Sequence, residues 1–148
     1  MEKLLHIASE KETEQIGEAI GQAAEPGTVV ALIGDLGTGK TTLTKSIARG
    51  LGVTETVTSP TFNIIREYKS GRIPLYHFDV YRIGDPDEMF ELGYEEYFYG
   101  DGICVVEWAD IIEELLPEDA VIIRIERGAD EEEREYRIES EDGKLCIF

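Results

Sequence analysis

The sequence is short of basic residues, cysteine and long apolar runs, and each shortage argues against a class of protein. Its 148 residues include 14 Lys and Arg against 32 Asp and Glu, a net charge of −18, which argues against strong direct binding to nucleic acid. Cys104 and Cys146 lack metal-binding spacing, so we expect two reduced thiols in a cytoplasmic protein. No stretch approaches the ~18 apolar residues of a membrane span, so we expect a soluble protein with no membrane partner.

The acidic residues are concentrated in the second half of the chain. Residues 1–82 contain 9 basic and 10 acidic residues, whereas residues 83–148 contain 5 basic and 22 acidic ones. Two interpretations stay open at this point. The acidic part is either a solvated surface that keeps the protein soluble or a docking surface for a basic partner.

The length and the order of predicted elements indicate one α/β domain covering residues 1–148. Two apolar, β-branched runs are typical of strands buried on both faces of a parallel sheet, and turn residues separate the later strands. The prediction is a P-loop NTPase-like mixed sheet with a largely parallel core, flanking helices and an antiparallel hairpin. The predicted strands are 4–8, 28–33, 62–69, 72–80, 103–106, 121–126, 136–139 and 144–148. The predicted helices are 11–24, 41–51 and 86–92, the last capped by Asp85, with a further turn or two at 94–99.

One motif carries a specific chemistry. Residues 34–41 read Gly-Asp-Leu-Gly-Thr-Gly-Lys-Thr, which is the phosphate-binding loop pattern. Glycines let successive backbone N–H groups converge on phosphates, and the helix that follows adds its positive N-terminal end. The predicted nucleotide-binding residues of this loop are Asp35, Leu36, Gly37, Thr38, Gly39, Lys40, Thr41 and Thr42.

The nucleotide is predicted to be ATP. A dinucleotide site is excluded because residues 37–42, Gly-Thr-Gly-Lys-Thr-Thr, lack the third glycine of that motif and have Lys40 where the backbone should contact the pyrophosphate. Asn63 is the only asparagine, and Ile64 follows it, so the Asn-Lys-x-Asp segment that reads guanine in Ras-type proteins is absent.

Two carboxylates are candidates for work at the phosphates. Glu107 ends the buried run 103–106, where P-loop proteins place a Mg²⁺-associated carboxylate, and Thr41 supplies a hydroxyl ligand. Alternation predicts that His77, Asp79 and Tyr81 share one face of a strand, so Asp79 is predicted to orient water or Mg²⁺. The alternatives are purely structural roles: Glu107 would cap a strand, and Asp79 would lie on the polar outer face of a hairpin. Ser59 and Thr61 lie where switch segments occur, although a plain proline turn explains them almost as well.

These motifs together resemble the TsaE (YjeE) ATPases of bacterial tRNA threonylcarbamoyladenosine (t6A) synthesis. The resemblance runs from about Ser9 to Pro117 and more weakly beyond, and order and spacing agree. One departure is Ala109, where some members have proline. The matching segments are 34–42, Ser-Pro-Thr-Phe at 59–62, His-Phe-Asp-Val-Tyr-Arg-Ile at 77–83, and Val-Glu-Trp at 106–108.

The resemblance implies a Mg²⁺-dependent ATPase that acts with a TsaB–TsaD heterodimer and sustains its turnover. The sequence has no obvious arginine finger, so we expect slow hydrolysis by the protein alone and acceleration by the partner complex. In the family, Lys40 and Thr41 match phosphate and Mg²⁺ positions, Glu107 the metal-associated carboxylate, and Asp79 a residue needed for activity. Further positions that resemble family residues near the nucleotide are Trp108, Ser9, Glu10 and Arg134. A capping box explains Ser9 equally well.

Two other functions stay open. A small-molecule kinase would use the same loop, but such kinases usually carry an arginine-rich lid that clamps the transferred phosphate. A nucleotide-sensing module would bind ATP without useful hydrolysis, and an ATPase assay with every partner present distinguishes it.

Overall fold

A seven-stranded mixed sheet forms the centre of the molecule. The structure, a computed structural model, describes residues 2–35, 37–58, 60 and 64–140. The strand order is β1-β7-β6-β2-β5-β4-β3. The strands are β1 Glu2–Ile7, β2 Val29–Ile33, β3 Ile65–Tyr68, β4 Leu75–Asp79, β5 Ile103–Glu107, β6 Val121–Arg127 and β7 Arg134–Glu139.

The sheet is parallel at its centre and antiparallel at both edges. β2 pairs in parallel with β5 and β6, and β5 pairs in parallel with β4. The edge pairs β3–β4, β6–β7 and β1–β7 are antiparallel. This arrangement confirms the predicted α/β mixed sheet with a parallel core and an antiparallel hairpin.

Helices cover both faces of the sheet. The helices are α1 Glu10–Ala23, α2 Lys40–Leu51, α3 Asp87–Leu92, α4 Tyr94–Phe98 and a 3₁₀ helix, Ala109–Leu115. Val30 and Leu32 belong to the core shared with α1 and α2, whereas Val29 and Ala31 belong to the core shared with the other helices. Because strand residues alternate between faces, β2 is apolar on both sides, as its sequence predicts.

Helices α1 and α2 pack with their backbones in contact, and glycines permit it. A Cβ atom at Gly17 would lie 2.3 Å from Ser46 Cβ, one at Gly21 would lie 2.2 Å from the Ile47 carbonyl oxygen, and one at Gly50 would lie 2.2 Å from the Glu18 carbonyl oxygen. No side chain fits at such distances. The glycines therefore fix how closely α2 lies against α1.

Several element boundaries differ from the sequence prediction. Helix α3 begins at Asp87, one residue later than expected, because the Asp85 carboxylate accepts from the Asp87 N–H at 2.9 Å while Pro86, and not Asp85, stands at the cap. The 3₁₀ helix was not predicted. The predicted strand 144–148 and Cys146 lie outside the described residues. None of the described helices combines the length and apolarity needed to cross a membrane.

Candidate functional site

The loop between β2 and α2 has the backbone shape that its glycines predict. Gly37 and Gly39 have φ of 80° and 98°, a region that residues with a Cβ rarely adopt. A Cβ at Gly34 would lie 2.8 Å from the Ile125 carbonyl oxygen. Tight packing against β6 and left-handed turns therefore explain three of the glycines, and the loop ends where α2 begins.

The Lys40 side chain lies buried across this loop. Its Nζ donates to the carbonyl oxygens of Gly34 and Asp35, the latter at 3.0 Å, and lies 3.9 Å from the centroid of the Trp108 ring. Burial lowers the pKa of Lys40, while the nearby carboxylates, Glu107 first among them, act in the opposite direction. The loop carbonyls, the Trp108 ring and the nearby carboxylates thus surround the Lys40 amino group at the start of α2.

A cavity of about 760 Å³ opens beside Lys40. Most of the predicted site residues line it, and Thr13, Glu131 and Glu132 line it without having been predicted. Leu36 lies outside the described residues, and Asp35 contributes its carbonyl oxygen to Thr38 and Lys40. The lining residues are Glu10, Thr13, Gly37, Thr38, Gly39, Lys40, Thr41, Thr42, Asp79, Glu107, Trp108, Glu131, Glu132 and Arg134.

Asp79 and Glu107 lie opposite each other at the carboxyl ends of two parallel strands. They are direct register partners on β4 and β5. The Asp79 carboxylate accepts from the Tyr81 N–H at 3.0 Å. Burial raises the pKa of Asp79, Glu107 raises it further, and the Tyr81 hydrogen bond lowers it. The structure therefore brings both predicted carboxylates to the mouth of the loop.

His77 contacts Glu107 directly, which the sequence did not indicate. The side chain of His77 is fully buried, and its Nε2 lies 2.5 Å from Glu107 Oε2. The shared face of His77 and Asp79 was predicted from alternation and is confirmed, since both have the parity of Leu75, which packs in the α1–α2 core. What the sequence could not supply is that β5 lies next to β4.

Trp108 follows β5 in an unusual conformation. It has φ 62°, the only positive φ at a described residue other than glycine. Its ring lies 4.8 Å from that of Tyr81 and covers Lys40. A left-handed conformation at a bulky residue costs energy and is found most often at functional sites.

Arg134 braces the loop. Its guanidinium donates to the carbonyl oxygens of Thr38 at 2.8 Å, Gly37 at 3.5 Å, Glu131 at 2.6 Å and Glu133 at 2.7 Å. The side chain therefore ties the loop to the β6–β7 turn. Arg134 is also the only arginine among the described residues that lines the cavity, so the described part of the chain has no arginine-rich lid of the kind that kinases use.

Of the two residues predicted at the N-terminus of α1, Glu10 lines the cavity and Ser9 does not. Glu10 lines the cavity, and its N–H donates to Glu132 at 3.5 Å. Ser9 caps α1 by accepting from the Glu12 N–H at 3.4 Å and is not among the lining residues. Glu12 reaches back to the Ala8 N–H at 2.7 Å, one residue before the N–H that a regular capping box uses, so that part of the prediction was wrong.

The switch role expected for Ser59 and Thr61 stays a prediction. Ser59 and Thr61 lie outside the described residues. Thr58 exchanges hydrogen bonds with the Tyr68 hydroxyl through its N–H and carbonyl groups, both at 3.1 Å. This contact ties the start of the segment to β3.

The donors present suit a magnesium ion that also binds phosphate. No group of three or more His, Cys, Asp and Glu side chains suited to a metal occurs among the described residues. Among the residues that line the cavity, Thr41 offers a hydroxyl and Asp79 and Glu107 offer carboxylates at the loop, which fits Mg²⁺, an ion that commonly keeps water and substrate phosphates among its ligands. Thr41 and Glu107 are the residues that would hold it.

Comparisons with known proteins agree with this geometry. The family model described as "TsaE: Threonylcarbamoyl adenosine biosynthesis protein TsaE" matches residues 7–136. The tRNA threonylcarbamoyladenosine biosynthesis protein TsaE of Bacillus subtilis is 53% identical over 82% of this chain and 76% of its own, and that of Treponema pallidum is 43% identical over 82% and 90%. The crystal structure of Bacillus subtilis YdiB matches with a TM-score of 0.82 at 44% identity, covering 95% of this chain and 86% of that one.

The family model covers well over half of the chain, and its range includes the loop, Asp79, Glu107, Trp108 and Arg134. The relatives align over most of their own length as well as most of this one. The chain therefore belongs to the TsaE family.

Proposed function

We propose that this protein binds and hydrolyses ATP with Mg²⁺ as an accessory protein of tRNA t6A synthesis. The observation that carries the proposal is the convergence of three groups on one cavity: the glycine loop, Lys40, and the carboxylates of Asp79 and Glu107. A glycine loop that opens a helix suits phosphates, and carboxylates at the ends of the neighbouring strands suit Mg²⁺ and water.

Each residue has a role that follows from its position. The backbone N–H groups of the loop and the first turn of α2 bind the phosphates, and Lys40 turns from the loop carbonyls to add its charge. Thr41 and Glu107 would hold Mg²⁺, which when bound would supply positive charge beside the phosphates. Asp79, whose pKa is raised by burial, orients the attacking water by accepting its hydrogen bond.

The rest of the cavity binds the remainder of the nucleotide. Glu10, Thr13 and Glu132 line the part next to α1, and Trp108 offers an aromatic face. Ser9 contributes through the cap that fixes the start of α1. Arg134 acts through the loop carbonyls that it binds. Ser59 and Thr61 are proposed to respond to the γ-phosphate as a switch.

The cellular role follows from the family. We propose that this cytoplasmic protein acts with a TsaB–TsaD heterodimer, that it hydrolyses ATP slowly alone, and that the complex accelerates it. Among the described residues a single arginine, Arg134, lines the cavity, and it is engaged by four backbone carbonyls. That geometry leaves charge stabilisation on the reacting phosphate to be completed by a partner.

The test of the chemistry separates binding from hydrolysis. Lys40→Ala should lose both, since a charged phosphate contact is worth about 1.5–3 kcal/mol. Thr41→Ala should impair both when Mg²⁺ is present, because it removes the hydroxyl ligand to the metal. Glu107→Gln and Asp79→Asn should keep nucleotide binding in the absence of metal and lose hydrolysis. Arg137→Ala, on β7 and outside the cavity lining, is the control. Normal hydrolysis in Lys40→Ala and Glu107→Gln would contradict the proposal.

The partner is tested by association with purified TsaB–TsaD in the presence of ATP. Binding that weakens with salt, and that is reduced by charge reversal at 113–114, would support an acidic docking surface. Charge reversal at 131–133 adds support only where nucleotide binding is unchanged, because Glu131 and Glu132 line the cavity. Binding that ignores salt and both reversals would reject that surface and keep the partner. Absence of binding and of any acceleration would reject the partner.

A further inference from the structure

The His77 side chain is fully buried beside the proposed metal ligand. It is 0% exposed, and Glu107 is 3% exposed. Its Nε2 contacts Glu107 Oε2, while its Nδ1 has no hydrogen-bond partner among the described residues. An apolar side chain would fill this place on β4 without leaving a buried polar atom unpaired. A purely structural role does not explain the imidazole.

The contact determines which nitrogen carries the proton. A carboxylate oxygen only accepts hydrogen bonds, so Nε2 is protonated and donates to Glu107. The imidazole is thereby oriented by a single hydrogen bond, and that bond is directed at one oxygen of Glu107.

The hydrogen bond from His77 fixes the orientation of the Glu107 carboxylate. His77 and Glu107 lie on adjacent parallel strands and on the same sheet face, with Asp79 directly opposite Glu107 in the register. Glu107 has three side-chain torsions, and burial alone does not select the one that faces the cavity. A donor that engages Oε2 holds the carboxylate in place and leaves its other oxygen for a ligand in the cavity that Glu107 lines.

We propose that His77 is a positioning residue that orients Glu107 toward the Mg²⁺ of the bound nucleotide. The inference rests on the proposed function, because it assigns His77 a task only if Glu107 meets metal. His77 does not touch nucleotide: it is not among the cavity-lining residues. Outer partners of metal ligands typically change metal affinity by about 10- to 100-fold when they are removed.

The first experiment measures binding of a fluorescent, non-hydrolysable ATP analogue in EDTA and over a Mg²⁺ titration. His77→Leu should bind the analogue in EDTA as the unsubstituted chain does and should need about tenfold more Mg²⁺ for the metal-dependent gain. His77→Gln, which keeps an N–H donor near Nε2, should recover most of that loss. His6→Leu is the matched control, since His6 is the only other histidine and its side chain is 58% exposed.

The outcomes separate the two proposals. A folded His77→Leu with an unchanged Mg²⁺ titration would overturn the role of His77 and leave the proposed function standing. Weakened binding of equal size in EDTA and in Mg²⁺ would also overturn it, because a structural defect would not distinguish the two conditions. An unsubstituted chain that binds no analogue, or binds it without any effect of Mg²⁺, would overturn the proposed function and the inference with it.

The second experiment needs no substitution. With ¹⁵N-labelled histidine, NMR distinguishes the two ring nitrogens of His77 from those of His6. We expect the Nε2–H tautomer at His77, and we expect its Nε2 signal to shift when Mg²⁺ is added to the analogue complex, with His6 unchanged. An Nδ1–H tautomer or an unmoved His77 signal would overturn the proposal even where His77→Leu does not fold.

Discussion

The two faces of the sheet are packed by different means. On the first face, α1 and α2 meet through glycines that bring main chain against main chain, as at Gly21 and Gly50. On the other face, aromatic rings meet edge to face, with centroids 5.4 Å apart for Phe78 and Phe98 and 5.1 Å for Tyr94 and Phe98. We call these the glycine face and the aromatic face.

The difference matters because the candidate site lies on the glycine face. His77, Asp79 and Glu107 have the same strand parity as Leu75 and Val105, which pack in the α1–α2 core. Helix α2 begins at Lys40, directly after the loop. Close backbone contact leaves α2 no room to move against α1, so the packing also fixes the loop. Rings on the aromatic face have more ways to repack.

The largest expected effect comes from a substitution that disturbs the contact between α1 and α2 on the glycine face. Gly21→Ala would place a Cβ 2.2 Å from the Ile47 carbonyl oxygen, and we expect a loss of about 3 kcal/mol in the free energy of unfolding. A Gly-to-Ala change at an exposed helix position instead raises the free energy of unfolding by up to about 1 kcal/mol. The sign of the change at Gly21 therefore shows whether the helices are in close contact there. Urea unfolding measures it.

The control for that substitution is Gly84→Ala. Gly84 is exposed, and its added Cβ would meet nothing within 4 Å. We expect its effect to stay within about 0.5 kcal/mol. A Gly21→Ala protein as stable as Gly84→Ala would show that α1 and α2 separate freely, and the proposed difference between the faces would be lost.

A smaller effect is expected on the aromatic face. Phe98→Leu keeps most of the buried volume and loses the edge-to-face contacts, so we expect a loss of about 1–2 kcal/mol. A double-mutant cycle with Phe78→Leu should give a coupling of about 0.5–1.5 kcal/mol. Additive losses would mean that the rings stabilise by burial alone. A loss from Phe98→Leu as large as that from Gly21→Ala would remove the contrast between the faces.

A third test extends the comparison to the loop. Arg134→Lys keeps the charge but not the planar set of donors that spans the carbonyls of Gly37, Thr38 and Glu131. We therefore expect nucleotide binding to weaken about fivefold, close to 1 kcal/mol, in Arg134→Lys and Arg134→Ala alike. Titration of a fluorescent nucleotide measures it, with Arg137→Ala as control. Full recovery by lysine would instead assign Arg134 a direct charge on the nucleotide.

The smallest effect concerns chemical access to the aromatic face. Cys104 is fully buried there, its Sγ donates to the Tyr97 carbonyl at 3.2 Å, and burial raises the pKa of its thiol. We expect no reaction of Cys104 with iodoacetamide at pH 8 in a folded Cys146→Ser protein, and full reaction in urea. Mass spectrometry counts the adducts. Alkylation of the folded protein would show that this face opens more readily than its packing indicates.

Local sequence predicted the parts of the site that depend on one segment. The glycines of residues 34–41 need no distant partner to adopt left-handed turns, and the apolar runs of β2 and β5 are long enough to identify buried strands. Alternation in β4 correctly placed His77 and Asp79 on one face. These features are read from spacing, so the loop, the core strands and the candidate carboxylates were predicted.

Contacts between distant segments could not be predicted in this way. That β5 lies between β2 and β4 decides that Glu107 meets His77 and Asp79, and it depends on strand order, which no local pattern encodes. The engagement of Arg134 by loop carbonyls almost a hundred residues earlier likewise depends on the β6–β7 turn. The sequence by itself determined which groups form the candidate phosphate site, whereas tertiary structure decided how they are held, because orientation arises from neighbours that folding brings together.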